Sequence, residues 1–330
     1  MTFEERVAAI KPKGFTDRQA RFLVTVLLHA GVCMVRHYCA FSRISRGQKT
    51  QEFFGFVVRR KYATVYSDAH RRVRVFHLQH RSLYEAIGEP DNRYRKPAPI
   101  GVAIERLMLL DAVLGSPDVT WLATEREKLA HFIRLLGTRL QREEMPHLVF
   151  GQPGNSAVRY FPDKMPIGVD PDGRTHVFAY LVRRASPIDF RAFLQRHAEL
   201  LRALPSWRIR LLIPGHLREA RDAYLAAVRQ ELATPLRPAT ADELRWFFEC
   251  QENLPTGHGG DPARLASARQ AFGSPRYRVL YRAWLRDRRS AIDGTVSSVL
   301  ADAIKRGAGQ VESHVLVHPY LHLSSLVGTA

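Results

Sequence analysis

The chain has few cysteines and no long apolar run. Its three cysteines, Cys33, Cys39 and Cys250, are too few for a disulfide framework and form no Cys-x-x-Cys pair of the kind that binds zinc. No segment approaches the roughly 18 consecutive apolar residues of a transmembrane helix, and the first residues, MTFEERVAAIKPKG, lack the apolar core of a signal peptide. These absences predict a protein of the reducing cytoplasm without a membrane partner.

Acidic residues are the scarcer charge. The 330 residues hold 50 Lys and Arg against 32 Asp and Glu, a formal net charge of +18. Residues 1–100 alone hold 19 basic and 8 acidic residues, a net of +11. A protein this basic usually binds a polyanion, because each phosphate that it neutralises releases condensed counterions. Charge does not distinguish DNA from RNA or from an anionic membrane, but it places the expected site in the first third of the chain.

Periodicity and turn residues predict an α+β protein with four regions. They are a winged helix-turn-helix at 1–90, a helical linker region at 91–146, a mixed α/β domain at 147–235 and a mainly helical C-terminal region at 236–330. Pro-rich residues 89–99 and Gly-rich residues 253–262 are predicted linkers. The capping-box pattern Thr124-Glu-Arg-Glu127 predicts a helix start, and Asp170-Pro-Asp-Gly173 predicts a hairpin turn.

The winged helix-turn-helix is predicted from element order in residues 15–80. A capping box at Thr16-Asp-Arg-Gln19 predicts a helix over 17–30, followed by a short β-like segment and a helix at 36–42. Ser45 is expected to begin the next helix, which runs to about Tyr62. Two alternating segments, 63–66 and 73–78, then flank a polar turn at 67–72. Helix, strand, helix, helix and hairpin is the order of a winged helix.

The candidate DNA-binding residues lie on and between the predicted second and third helices and around the hairpin. Arg, Lys and Gln side chains on a helix can pair with base edges in the major groove, while cations at a hairpin tip can contact phosphates or the minor groove. The candidates are Arg36, Arg43, Ser45, Arg46, Gln48, Lys49, Gln51, Arg59, Lys61, His70, Arg71, Arg72 and Arg74. Two alternatives stay open, because a charged helix face is usually only a solvated face and some winged helices bind proteins alone.

The middle of the chain raises the question of an enzyme. Residues 159–163, 167–170 and 176–182 are expected on adjacent strands, before a helix and the strand RIRLLIP, an order similar to restriction-endonuclease-like folds. Such nucleases need a carboxylate on one strand and Glu/Asp-x-Lys on the next to hold magnesium. Asp163 and Asp170 could supply the first carboxylate, but 176–182 has no acidic residue and no lysine. We therefore expect a degenerate nuclease-like fold, no enzymatic activity, no cofactor and no metal.

The histidines of the C-terminal tail are the other candidate for a metal site. His314, His318 and His322 lie four residues apart on an apolar tail interrupted by Pro319. That context predicts a strand or a docking segment in preference to a set of metal ligands.

The segments FTDRQARFLVTVLLHAGVCMVRHYCAFS at 15–42 and RSLYEAIGEPDNRYRKP at 81–97 resemble winged-helix proteins carried by bacterial integrative and conjugative elements and plasmids. They are similar to the replication-relaxation group, in which a winged helix precedes a degenerate nuclease-like domain. The resemblance implies a regulator of transcription or of plasmid maintenance.

The sequence thus predicts a sequence-specific double-stranded DNA-binding protein, a transcriptional regulator of a mobile genetic element. One winged helix buries too little surface for high specificity, so a homodimer is expected. The C-terminal region is the expected surface for dimerisation or for a protein partner. The alternative is a replication or DNA-processing protein with a nuclease-like central domain.

Overall fold

The computed structural model describes residues 1–66, 74–152, 155–253, 261–286, 290–318 and 320. Helices and sheets are both present, in agreement with the predicted α+β class. None of the described helices combines the length and the apolarity that are required to cross a lipid bilayer.

The N-terminal part combines helices with a small antiparallel sheet. Its elements are α1 (Phe3–Ile10), α2 (Asp17–His29), β1 (Val32–Cys33), α3 (Val35–Ser42), α4 (Gln48–Arg59), β2 (Ala63–Val65), β3 (Phe76–Leu78) and α5 (Arg81–Ala86). β3 lies between β1 and β2 and is antiparallel to both. The order of the elements and the bounds of α2 and α3 agree with the prediction to within a residue.

Helix α2 begins at the predicted capping box. The Gln19 N–H donates to the Thr16 hydroxyl at 3.4 Å, and the Thr16 N–H donates to the Gln19 side chain at 3.0 Å. Two backbone donors that the helix would otherwise leave unpaired are thereby satisfied.

The predicted bounds of the next helix are wrong at both ends. α4 begins at Gln48, three residues after Ser45, and the Gly47 N–H donates to the Thr50 hydroxyl at 3.1 Å. The helix ends at Arg59 because Lys61 adopts a left-handed conformation with φ of 57°. Tyr62 then donates its N–H back to the Val57 carbonyl at 3.0 Å.

The rest of the chain is built around a mixed sheet. Its elements are α6 (Ile100–Leu114), β4 (Thr120–Leu122), α7 (Glu125–Leu136), β5 (His147–Gln152), β6 (Asn155–Tyr160), β7 (Ile167–Val169), β8 (Thr175–Leu181), α8 (Ile188–Ala203), β9 (Ser206–Ile213), α9 (Arg221–Val228), α10 (Pro238–Asn253), α11 (Pro262–Ala271), α12 (Pro275–Trp284), α13 (Ser290–Val296), α14 (Val299–Lys305) and β10 (Gly309–Val315). The sheet order is β10-β9-β8-β7-β4, with β8, β9 and β10 parallel and β7 antiparallel to both of its neighbours.

The predicted hairpin and helix of the middle region are confirmed. β7 and β8 pair across the turn, where the Asp172 carboxylate accepts the N–H groups of Arg174 and Thr175 at 2.8 Å each. α7 begins after the predicted capping box at Thr124. The predicted strand at 159–163 does not join this sheet, because β6 pairs with β5 in a separate hairpin.

The sheet also takes strands from outside residues 147–235. β4 lies in the region predicted as a helical linker, and β10 lies in the region predicted as mainly helical. β10 runs parallel to β9 over seven paired residues, from Gly309 opposite Trp207 to Val315 opposite Ile213. Of the histidine-bearing tail, expected to be a strand or a docking segment, only residues 314 and 315 belong to a strand, and residues 316–318 do not.

One buried apolar cluster runs through the N-terminal part and the mixed sheet. α6 contributes Ile104 and Leu107, both almost completely buried, and it contacts α2, β1 and β8. The predicted linker at 89–99 also packs into this core, since a Cβ atom on Gly31 would lie 2.6 Å from the Tyr94 Cβ. A second cluster, which includes Leu244, Phe248 and Trp284, joins the C-terminal helices.

Candidate nucleic-acid interface

Helix α4 is held by one apolar face. Phe53 and Phe54 are buried, together with Thr50 and Val57. The Phe53 ring lies 4.5 Å from that of Tyr38 on α3, and the Phe54 ring lies 4.4 Å from that of Phe76 on β3. These ring contacts fix the rotation of the helix about its axis, so the opposite face is directed to solvent.

The exposed face of α4 is polar. It carries Gln48, Lys49, Gln51, Glu52 and Arg59, and all five are exposed. The Gln48 side-chain amide donates to the Glu52 carboxylate at 2.9 Å. Within the described part of the chain, neither Lys49 nor Arg59 forms an ion pair. The face therefore presents donors and an acceptor of the kinds that pair with base edges in a major groove.

Gly55 lies in the middle of this face. A Cβ atom there would meet only the end of the Arg59 side chain, with Nη1 at 3.1 Å. Glycine inside a helix costs about 0.5–1 kcal/mol relative to alanine, so the position lowers helix stability. Because Gly55 has no side chain, a ligand can approach the helix backbone closely at this point.

Further cations surround α4. Arg43 ends α3 in a left-handed conformation with φ of 53°, and Arg46 lies in the loop before α4. Lys61 follows the helix, and Arg74 precedes β3. All four side chains are exposed, and none has an ion-pair partner among the described residues.

The sequence analysis missed two cations near the same surface. Arg60 is exposed and lies over the Phe56 ring, with 5.7 Å from the guanidinium carbon to the ring centroid. Arg18 lines a groove of about 720 Å³ between the start of α2 and α4, together with Lys49 and Arg59. Charge and position in the chain were the available signals, since Arg60 directly follows α4 and Arg18 is in the first turn of α2.

Four of the predicted DNA-binding residues are paired elsewhere or are not described, and a fifth, Ser45, does not begin α4 as expected. Arg36 forms a bidentate ion pair with Asp111, so it is not a free cation of the α4 surface. Ser45 is exposed but does not cap α4. His70, Arg71 and Arg72 lie outside the described residues.

The two candidate nuclease carboxylates are bound to arginines. Arg196 donates to both oxygens of Asp163, at 3.0 and 2.7 Å, and Arg208 donates to Asp170 at 2.9 Å. Burial acts to raise the pKa of Asp163, but the hydrogen bond from Arg196 and the charges of Arg196 and His197 together outweigh burial and lower it. Among the described residues, no three His, Cys, Asp or Glu side chains are grouped so that they could hold a metal ion.

Comparison with known proteins returns no match: no family model, no curated protein and no solved structure is similar to this chain at a significant level. The geometry of the described residues is therefore the basis for a functional proposal.

Proposed function

We propose that residues 1–90 form a winged helix-turn-helix that binds double-stranded DNA, with α4 in the major groove. The observation that carries the proposal is the exposed face of α4, where Gln48, Lys49, Gln51 and Arg59 surround Gly55 and neither cation has a carboxylate partner among the residues that the structure describes. The element order and the β1-β3-β2 sheet support it, because they place a strand pair beside the helix as a wing requires.

The proposed interface makes two kinds of contact, with base edges and with phosphates. Gln48, Lys49 and Gln51 would read base edges, since amide and ammonium groups reach the acceptors of purines. Glu52 would accept from the amino group of cytosine. Arg43, Arg46, Lys61 and Arg74 would contact phosphates and fix the register of the module on the duplex.

We further propose that the protein is a cytoplasmic, sequence-specific regulator of transcription on a mobile genetic element, and that it acts as a homodimer. The resemblance of residues 15–42 and 81–97 to element-borne winged-helix proteins supports the first part. The mixed sheet would serve as a nuclease-like scaffold, and the C-terminal helices would provide the dimer or partner surface. A monomeric mass in sedimentation, with and without DNA, would contradict the dimer.

The test of DNA binding is a titration of fragments from the protein's own genomic neighbourhood at several salt concentrations. We expect binding that weakens steeply with salt, with one fragment preferred. Lys49→Gln with Arg59→Gln should remove most of the affinity. Lys305→Gln with Arg306→Gln, an equal change of charge at two exposed residues at the end of α14, should not. Equal behaviour of the two variants would contradict the proposed site.

The alternative is a DNA-processing protein with a nuclease-like sheet. Its two candidate carboxylates are engaged by Arg196 and Arg208, which argues against metal binding there. Magnesium-dependent cleavage of plasmid DNA that is abolished by Asp163→Ala would establish the alternative and overturn the role of a pure regulator.

A further inference from the structure

A second group of cations lies on the side of the mixed sheet where β8 ends. Five residues form it, and we call them the Lys164 cluster: Arg93, Arg106, Arg159, Lys164 and Arg183. They come from separate segments, namely the short 3-10 turn Arg93–Arg95, helix α6, strand β6, the loop before β7 and the loop after β8. Arg93, Arg159, Lys164 and Arg183 are exposed, and Arg106 is half-buried.

Two guanidinium groups of the cluster are held in place by Tyr94. The guanidinium carbons of Arg93 and Arg106 lie 4.7 and 5.1 Å from the centroid of its ring. Arg93 also donates to the Tyr94 hydroxyl at 2.7 Å and to the Lys164 carbonyl at 3.4 Å. Cations stacked on a buried ring lose less conformational freedom when they bind an anion than cations on free stems do.

Carboxylates compensate this charge only weakly. Glu105 lies 3.9 Å from Arg183 and Glu125 lies 3.8 Å from Arg159, and both contacts are long and substantially exposed. Arg93, Arg106 and Lys164 have no carboxylate partner in the described part of the chain. Burial and the four arginines of the cluster together lower the pKa of Lys164. Gathering like charges in this way is unfavourable in the free protein and becomes favourable when a polyanion neutralises them.

The cluster adjoins the hairpin of the N-terminal module. His77 on β3 contacts the Tyr94 carbonyl through Nε2 at 2.8 Å, and its ring lies 6.0 Å from that of Tyr66, which directly follows β2. Arg106 is close enough to Tyr66 to oppose the rise in its pKa that burial causes. Strand β3 of the proposed wing therefore contacts the turn that carries Arg93.

We propose that the Lys164 cluster is a second phosphate-contacting surface, which binds the backbone of the same DNA duplex beyond the wing. The inference rests on the proposed function and extends it from one module to the mixed sheet. A duplex carries one negative charge about every 1.7 Å of its axis, so a duplex that continues past the wing presents phosphates to any cations beside it. Contacts of this kind add affinity without adding sequence preference.

The test compares two variants of equal charge on a duplex of roughly four helical turns, about 40 base pairs. The first is Lys164→Gln with Arg183→Gln. The second, the control, is Lys305→Gln with Arg306→Gln. Since β8, β9 and β10 are parallel, the loop after β8 and the residues before β10 lie at opposite ends of the sheet. We expect the cluster variant to reduce the slope of log Kd against log salt by about one for each cation removed, while the preferred fragment stays the same. The control should leave the slope unchanged.

Four results would overturn the inference. The first is a slope of the cluster variant equal to that of the control. The second is tight binding of inorganic phosphate or ATP to the Lys164 cluster, together with DNA binding that is unchanged when Lys164 and Arg183 are substituted. That result would make the cluster a site for a small anion. The third is a wild-type protein without salt-dependent DNA binding, which would also overturn the proposed function. Loss of fragment preference on substitution of α4, with the cluster effect absent, would contradict the inference alone.

Discussion

Arg36 on α3 and Asp111 on α6 form a bidentate ion pair, with Nη1–Oδ1 at 2.6 Å and Nη2–Oδ2 at 2.7 Å. His37 brings Nε2 to 2.9 Å from the same carboxylate, and the Tyr320 hydroxyl donates to it as well. Asp111 therefore connects a helix of the proposed DNA-binding module with α6 and with the end of the described chain. This carboxylate is a point at which the module is fixed to the mixed sheet.

Asp111→Ala should destabilise the protein. The substitution leaves the buried His37 and the partly buried Arg36 without an acceptor, and an unpaired polar group of this kind costs about 2 kcal/mol. Urea unfolding would measure the change in the free energy of unfolding. Asp118→Ala, at an exposed aspartate that forms no ion pair with any described residue, is the matched control and should have little effect. Equal stabilities of the two variants would contradict the role of Asp111.

Arg36→Gln should affect protein stability, whereas Arg43→Gln should affect DNA binding. Arg36 is engaged by Asp111, so its loss should lower thermal stability and leave the salt slope of DNA binding unchanged. Arg43 is exposed and unpaired among the described residues, so its loss should reduce the slope by about one and leave the melting temperature unchanged. A reduced salt slope of DNA binding in Arg36→Gln would show that Arg36 does contact DNA.

Gln48→Ala and Gln51→Ala should change which sequences are bound. Each good base contact contributes about 1–3 kcal/mol of discrimination, and these side chains lie on the exposed face of α4. Selection of bound fragments from a random pool would show which positions of the site lose their preference. Arg71→Ala with Arg72→Ala should weaken binding to all sequences alike. Equal losses from both kinds of variant would contradict the orientation of α4.

Two substitutions of Gly55 should distinguish its effect on protein stability from its effect on DNA affinity. Gly55→Ala should raise the stability of the protein by about 0.5–1 kcal/mol, because only the flexible end of Arg59 must move. Gly55→Leu should preserve the fold but place a bulky side chain on the contact face, lowering DNA affinity about tenfold or more. Thermal unfolding and DNA titration measure the two effects. Wild-type affinity in Gly55→Leu would show that DNA does not approach this face.

Buried histidines should make the protein unstable in mild acid. Burial lowers the pKa of both His176 and His197 to about 4. Between pH 6.5 and 4 the unfolded chain binds protons at these residues and the folded chain does not. Stability therefore falls as the pH falls through this window, by up to about 1.4 kcal/mol per pH unit and per histidine.

The matched substitutions are His197→Leu and His216→Leu, in a buried and an exposed histidine. The midpoint of urea unfolding, measured from pH 7 to pH 5, should vary less steeply in His197→Leu than in the wild type. His216→Leu should follow the wild type. An unchanged pH dependence in His197→Leu would contradict its burial in the neutral form.

The sequence predicted the elements that depend on local chemistry. The capping boxes at Thr16 and Thr124 mark the helix starts because both partners of each hydrogen bond lie within four residues. Apolar spacing predicted that Phe53, Phe54, Val57 and Val58 pack inward, which placed Gln48 and Lys49 outside. The first three are buried, but the prediction is wrong for Val58, which is exposed. Ser45 is not the start because Gly47 pairs with Thr50 and caps the helix, which therefore begins at Gln48.

Features that depend on distant partners could not be predicted. Nothing near Arg36 in the chain shows that Asp111 will meet it, so a cation on a helix was assigned to DNA. β4 is three residues long, and β10 carries charged and apolar residues without a strong strand pattern; each becomes a strand through its neighbour in the sheet. The Lys164 cluster could not be predicted from the sequence for the same reason, since its five cations come from separate segments.

The parallel pairing of β10 with β9 has a consequence for how the protein is made. The N-terminal module pairs its three strands within the first 78 residues, so this small sheet can form while the rest of the chain is still being synthesised. The edge of β9 stays open until residues 309–315 leave the ribosome. During that interval the nascent chain exposes an unpaired strand, which is a site for misassociation and for chaperone binding.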